Sequence, residues 1–412
     1  MNRFSRFLAR VLLGLTVSLG AVAGEAPLLL ASADAGRLLG SPDARIARAL
    51  QDIRGNRLED ALREVDRVIA QRPDFRLAHL IRGDILMARS RPLTGLGTST
   101  RAPADSLADL RDEARARLLR YIDQPASDLM PSQILQLAPQ HRHVLLADAS
   151  RARLYVFENV NGEPKLVSDY YMTIGRNGTE KRVEGDKRTP VGVYRILSQV
   201  ARQRLTDFYG AGAFPLDYPN AWDQAQRRGG HGIWLHGVPS DTYSRPPRSS
   251  DGCVVVSNPD LKDLSRYIDV GSTPVVIAER ADWIDRDTWT RTRDGLLQRL
   301  RDWKEDWEAR DPDRFLRHYS NKLAMRDGQG WLNAKRGNIL NKDWIRVELS
   351  DVNLFLYPDG DMAYAEFRQN YASDKLSSQS SKRLFWRMED GAWRVALETS
   401  AEAHPSTQLA KR

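Results

Sequence analysis

The stretch His231-Gly232-Ile233-Trp234-Leu235-His236-Gly237, followed by Ser250-Asp251-Gly252-Cys253, places one cysteine seventeen positions after a histidine. Gly252 beside the thiol lets the backbone turn tightly, so two successive N–H groups can point at a developing oxyanion. A histidine beside that thiol can hold it as the thiolate and pass a proton to a leaving group. Gly237 permits close backbone approach, which suits orientation of the His236 imidazole by a main-chain carbonyl. Between the two segments, Pro239, Pro246 and Pro247 among Ser, Thr and Arg read as a semi-rigid surface loop walling a cleft. His236 by itself is compatible with a satisfied core histidine, and His231 with a structural or substrate-side one. A cysteine and a histidine each beside glycine, taken together, favour catalysis. One cysteine and two histidines with no carboxylate in ligand spacing do not make a metal site, and no cofactor is expected.

Cys253 is the only cysteine among 412 residues. It has no partner for an internal disulfide, so it is a buried small hydrophobe, an intermolecular crosslink or a reactive thiol. The chain opens with Arg3, Arg6 and Arg10, an apolar run from Val11 to Val22, and the small-x-small triplet Ala21-Val22-Ala23. These zones read as an export signal over residues 1–23, and the run is short for a membrane anchor. An exported chain enters an oxidising compartment, which makes a lone cysteine more notable. The net charge of +8 is spread along the length without a long basic block. It points to an anionic envelope polymer or surface as partner, with no nucleic acid and no membrane span after signal cleavage.

Three periodicities divide the mature chain. From Asp43 to Met87 the apolar spacing is helical, in stripes such as Ile46, Leu50, Ile53 and Leu58, Leu62, Val65, Ile69. Arg72-Pro73-Asp74 interrupts it. The hairpin from Asn56 to Ala88 resembles a single tetratricopeptide-type unit, which serves here as a packing element. Residues 90–106 read as a loop, and Leu107–Ile122 as a further helix. Near His143 the period becomes two, in runs such as Val144–Ala147, Leu154–Phe157 and Tyr170–Ile174, with Asn161-Gly162 as a hairpin turn. The one helix expected in this zone is Asp260–Ile268, with Asn258 as its cap. A third zone starts with Leu296, Leu300, Trp303 and Trp307, spaced as one helix face. Phe315, Leu316 and Tyr319 follow, then strand-like runs at 345–349, 353–357, 364–371, 382–389 and 392–398. The expected bounds are 24–141 for a helical domain, 142–280 for the mostly-β domain, and 281–412 for an α+β domain.

The residues His236-Gly237 and Ser250-Asp251-Gly252-Cys253, with the upstream Thr189-Pro190-Val191-Gly192-Val193-Tyr194, resemble the L,D-transpeptidase (YkuD) catalytic domain family over residues 143–279. The C-terminal zone, with its Trp303-x3-Trp307 start and final Trp393 strand, resembles the nuclear-transport-factor-2-like (NTF2-like) fold. The resemblance implies a multidomain protein: helical N-terminal region, mostly-β YkuD-like catalytic domain, α+β NTF2-like C-terminal domain. It implies that Cys253 attacks the L-centre to D-Ala bond of a peptidoglycan tetrapeptide stem, with His236 as base. The Gly237 carbonyl is then the third member, and the backbone of Gly252 and Cys253 supplies oxyanion donors. Two departures stand out. The family's histidine two residues before the cysteine is Asp251 here, able to orient His231 or His236, to attract an ammonium group, or to oppose thiolate formation. The arginine often found two residues after the cysteine is Val255, so Asn258, Arg245 or Arg248 would serve substrate binding together with His231 and Trp234.

The acyl-enzyme has two fates. An amine acceptor makes a transpeptidase, and water makes an L,D-carboxypeptidase that trims tetrapeptides to tripeptides. Breadth of the family puts transfer first. The three-part arrangement resembles the L,D-carboxypeptidases that set cell shape in helical Gram-negative bacteria and supports trimming as the alternative. A non-catalytic peptidoglycan-binding scaffold is the remaining reading. Stem peptides and glycan are the expected partners in the periplasm, with an envelope protein engaging the helical or C-terminal domain. Asp351, Tyr364 and Glu366 are candidate pocket residues in the C-terminal domain, with ordinary packing as the competing role.

Overall fold

The computed structural model describes residues 40–98, 102–325, 327–358 and 361–401, and the expected export signal lies outside them. Among the described residues four helices come first: α1 (Pro42–Arg54), α2 (Leu58–Gln71), α3 (Arg76–Ala88) and α4 (Ala104–Ile122). Ser41 caps α1 by accepting the Ala44 N–H at 3.1 Å, and Pro42 occupies the first turn, where its missing N–H costs nothing. The apolar stripes meet in a small core of Ile46, Ala49, Val65, Val68, Leu77, Ile81 and Ile85, into which Tyr243 inserts from the middle domain.

The chain then forms β1 (Leu129–Pro131), β2 (Ile134–Gln136), β3 (His143–Asp148), β4 (Arg153–Val160), β5 (Glu163–Tyr171), β6 (Ile174–Gly175), β7 (Gly192–Arg195) and β8 (Ala213–Pro215). After helix α5 (Ala221–Ala225) come β9 (Trp234–His236), β10 (Arg248–Ser250), β11 (Val254–Val255), helix α6 (Asn258–Leu264) and β12 (Pro274–Ala278). The turn between β4 and β5 has positive φ at both Asn161 (55°) and Gly162 (93°), the backbone that a tight two-residue hairpin demands. The expected helix after Cys253 is present, but Ser257 caps it, accepting the Asp260 N–H at 3.2 Å; Asn258 is the first helical residue. Helix α5, five residues long, is an addition to the expected elements.

The main sheet of this domain runs β5-β4-β3-β12-β7. Strict alternation sends Leu145, Ala147, Leu154 and Val156 to one face and Val144, Leu146, Tyr155 and Phe157 to the other. The first face packs on a small sheet ordered β11-β9-β8, through Phe214, Leu235, Val254 and Val256. The second packs on the C-terminal domain.

That domain follows β13 (Trp283–Asp285) with α7 (Arg286–Glu308), α8 (Pro312–Leu316), α9 (Gly328–Leu340) and the strands β14 (Ile345–Leu356), β15 (Met362–Ser373), β16 (Ser377–Glu389) and β17 (Ala392–Ala401). The expected spacing of Leu296, Leu300, Trp303 and Trp307 makes the buried face of α7, which covers one side of the sheet with Phe367 and Trp386. Phe355, Tyr357, Tyr364 and Phe385 face the other way, onto the middle domain. The two expected runs at 345–349 and 353–357 are one strand, bent where Asp351 takes φ 54°. Helix α9 carries a single fully buried apolar residue, Ile339, and so left no stripe in the sequence.

Residues 129–136, within the expected helical domain, form strands instead: β1 pairs β13 and β2 adds an edge to β14. Tyr364 and Glu366 lie at the seam with the middle domain, where Glu366 pairs with Arg195 and Arg383. Asp351 stands by Arg368 at 3.6 Å. Tyr364 and Glu366 line a cavity at that seam together with Arg195, Asp217, Phe355 and Phe385, whereas Asp351 does not.

A buried ion cluster joins the first domain to the second. Arg117 pairs with Asp43 and with Glu113 (2.9 Å), Arg120 with Asp43 (2.9 Å) and Asp169 (2.7 Å), and Arg153 with Asp169 (2.8 Å). Buried charges survive only when each finds opposite partners. Burial alone would raise the Asp169 carboxyl, but Arg120 and Arg153 bring it down to about 2.

Candidate active site

Strands β9 and β11 pair in parallel with Leu235 opposite Val254 and His236 opposite Val255. Leu235 and Val254 are both core residues, so alternation turns Trp234, His236, Cys253 and Val255 to the opposite face. Cys253, one residue ahead of β11, is therefore a diagonal neighbour of His236.

His236 is 1% exposed. Its Nδ1 lies 2.6 Å from the Gly237 carbonyl, which requires the proton on Nδ1 and leaves the lone pair on Nε2. Nε2 is buried with no hydrogen-bond partner among the described residues. The rings of Phe208 and Tyr209 cover the imidazole at 5.7 and 5.0 Å, and Tyr209 also packs 4.8 Å from Trp234. Burial pushes the imidazole down to about 4, partly offset by its bond to the Gly237 carbonyl.

Cys253 Sγ donates to the Gly232 carbonyl at 3.4 Å. Burial pushes the thiol up, and the Trp234 amide, Arg245 and Lys181 only partly counter it. The resting pair is thus neutral thiol and neutral imidazole. This runs against the expectation that His236 holds a thiolate, since burial disfavours both charged forms.

The turn before Cys253 is tightly fixed. Gly252 has φ +125°, and a Cβ there would stand 2.8 Å from the Arg188 carbonyl. Its N–H donates to Ser250 Oγ at 3.1 Å, so it is not free for an oxyanion; this corrects the expected pair of donors. The Cys253 N–H makes no hydrogen bond among the described residues. Ser250 Oγ donates to the Cys253 carbonyl at 2.7 Å, and Thr189 Oγ1 to the Gly252 carbonyl at 2.9 Å. The Thr189-Pro190 stretch therefore supports the cysteine turn from beneath.

Gly237 also has a clear reason, since a Cβ would meet Asn258 Oδ1 at 2.2 Å. Asn258 accepts from Ala211 N (2.8 Å) and Val238 N (3.2 Å) and donates to the Val238 carbonyl (2.8 Å). Those bonds occupy it with backbone, which corrects its expected place in substrate binding. Asp251 is exposed and pairs with Arg176 at 3.0 Å, so it orients neither histidine. His231 is exposed, 3.7 Å from Glu184, away from any part in the His236 contacts. Arg248 is exposed at the start of β10. Arg245 is half-buried, with its guanidinium carbon 4.8 Å from the Phe208 ring centre. Sequence reading missed Phe208 and Tyr209, for which the adjacent aromatic pair before Gly210 was the available signal, and gave Ser250 and Thr189, quoted within their motifs, no role of their own. No group of three or more His, Cys, Asp or Glu suited to a metal occurs among the described residues.

The L,D-transpeptidase catalytic domain family matches residues 142–277, the span that holds this pair. The middle domain is a YkuD-type catalytic domain. The Cds6 C-terminal NTF2-like domain family matches residues 295–399, so the YkuD-type domain is fused to an NTF2-like one. Among solved structures, Bd1075 of Bdellovibrio bacteriovorus is 27% identical, with a TM-score of 0.59 over 66% of this chain and 98% of that one. The helical cell shape determining protein Pgp2 of Campylobacter jejuni is 23% identical, with a TM-score of 0.57 over 65% of this chain and 95% of that one. A lysine-to-alanine mutant of Pgp2 is 21% identical, with a TM-score of 0.57 over 72% of this chain and 100% of that one. No curated protein matches the chain.

The chain is a cysteine-dependent enzyme, which removes the scaffold reading. Transfer to an amine, placed first from the breadth of the family, is corrected. The YkuD-type domain here comes with the Cds6-type C-terminal domain and matches Bd1075 and Pgp2 over nearly their whole lengths, the arrangement associated above with trimming. No helix among the described residues is long and apolar enough to cross a membrane.

Proposed function

We propose that this protein is a periplasmic L,D-carboxypeptidase that trims peptidoglycan tetrapeptide stems to tripeptides. The observation that carries the chemistry is the unpartnered His236 Nε2 on the same face as the Cys253 thiol, one strand away. A substrate carbonyl entering beside Cys253 is attacked by sulfur as Nε2 takes the thiol proton. The imidazolium, steadied by the Gly237 carbonyl, gives that proton to the amine of departing D-Ala. The Cys253 N–H is the amide best placed to meet the oxyanion. A water, deprotonated at Nε2, then attacks the thioester; the tripeptide leaves with a free carboxylate and the thiol is restored.

The three-part layout supports water as acceptor, as set out above. Incubation with disaccharide tetrapeptide, read by mass, is the test. Loss of a single D-Ala, abolished in Cys253→Ala, is the expected result. A joined dimer or an unchanged substrate overturns the proposal.

A further inference from the structure

Among the described residues, the charges of Arg245 and Lys181 reach Cys253 and that of Arg176 reaches Arg245; Lys181 and Arg176 are already matched. Lys181 pairs with Asp186 at 2.9 Å, and Arg176 pairs with Asp251 at 3.0 Å. Arg245 has no carboxylate within ion-pair distance among the described residues, although burial depresses its guanidinium and its charge reaches both the Cys253 sulfur and His236. Asp251 acts on it only through space, and a half-buried guanidinium with no anion in contact is costly to maintain in a folded protein. It rests on the face of Phe208, whose ring in turn covers His236.

The backbone under Arg245 is held firmly. Its carbonyl accepts from Tyr171 Oη at 2.9 Å and Thr173 Oγ1 at 3.2 Å, and the Pro246 carbonyl accepts from Thr173 Oγ1 at 2.8 Å. Ser244 next to it donates to the buried Glu113 of α4. The side chain is thus carried into the cleft by its own main chain, and its guanidinium is left free to bind.

We propose that Arg245 captures the terminal carboxylate of the stem peptide and so restricts cleavage to the last residue. The proposal rests on the trimming activity above. An enzyme that removes one C-terminal residue must tell a free carboxylate from a continuing amide, and a guanidinium does so with paired charge-assisted hydrogen bonds. Phe208 beneath the guanidinium keeps water from one side, which strengthens the pairing, and fixes its plane.

Two measurements on Arg245→Gln and Arg245→Lys test this. The first compares alkylation of Cys253 by anionic iodoacetate and neutral iodoacetamide. Removing the charge should lower the iodoacetate-to-iodoacetamide rate ratio by roughly 5-fold, with lysine retaining most of it. The second compares stem tetrapeptide with its C-terminal carboxamide. The natural enzyme should favour the free acid by about 10- to 100-fold in kcat/KM, and Arg245→Gln should erase that preference by slowing the acid alone. An unchanged alkylation ratio, or equal slowing of acid and amide, overturns the role. If the natural enzyme trims neither peptide, the functional proposal fails, while the alkylation ratio still decides the anion site.

Discussion

The Tyr243 ring, on the loop between His236 and Cys253, packs 4.6 Å from the ring of Phe75 at the start of α3. The helical domain thus grips the loop that walls the catalytic cleft. Tyr243→Ala removes a 5%-exposed aromatic from that core and should cost about 3–5 kcal/mol in a denaturant titration. The trimming rate should fall with it, because the anchors of Ser244 and Arg245 loosen. Full activity in a stably folded Tyr243→Ala protein would show that the grip does not matter for catalysis.

His236 sets the pH response. Its imidazole titrates at about 4 in the fold, against about 6.5 in an unfolded chain. Between those values the unfolded chain binds more protons, so stability rises with pH and is lost as acid carries the protein from 6.5 toward 4. The loss from this group approaches ~3 kcal/mol and should vanish in His236→Gln. The acid limb of kcat/KM should lie near pH 4 rather than 6.5. His236→Gln should also lower kcat by about 10²- to 10⁴-fold, as measured by D-Ala release.

Gly252→Ala forces a Cβ to within 2.8 Å of the Arg188 carbonyl at φ +125°. Backbone strain of this kind is worth ~1–3 kcal/mol. Because it falls on the turn that aims Cys253, kcat should drop by at least ~100-fold even where the variant folds. Circular dichroism melting alongside the mass assay separates the two effects.

The ion cluster offers a fourth test. Asp43→Asn leaves Arg117 and Arg120 short of a buried counter-charge, and about 3–5 kcal/mol should be lost. Arg117 also lies 4.0 Å over the Tyr171 ring, whose hydroxyl holds the Arg245 carbonyl. Domain separation should therefore appear as faster proteolysis within residues 239–249. An equally protected loop in Asp43→Asn would count against this coupling.

Much of the layout was legible because its signals are local. The face of α7 is written in the spacing of Leu296, Leu300, Trp303 and Trp307, and the β4–β5 turn in Asn161-Gly162. Cys253 and His236 stood out as candidates because chemistry needs a thiol and an imidazole beside flexible backbone, and strand pairing sets them on one face. Strands β1 and β2 were not, since three-residue strands have no period and take their identity from distant partners such as Asp285 and Leu354. Asn258 was misread for the same reason: its partners Ala211 and Val238 stand far from it in sequence. Asp251 orients neither histidine because Arg176, from another loop, pairs with it, yet its charge still raises the Cys253 thiol, as one of its expected roles had it.

The neutral Cys253, turned onto the Gly232 carbonyl, has a consequence for its resistance to oxidation. Peroxides and disulfide-forming catalysts attack the ionised form of sulfur. A lone sulfhydryl kept un-ionised by burial is spared such damage, which matters in a sequence with no second cysteine to rescue it.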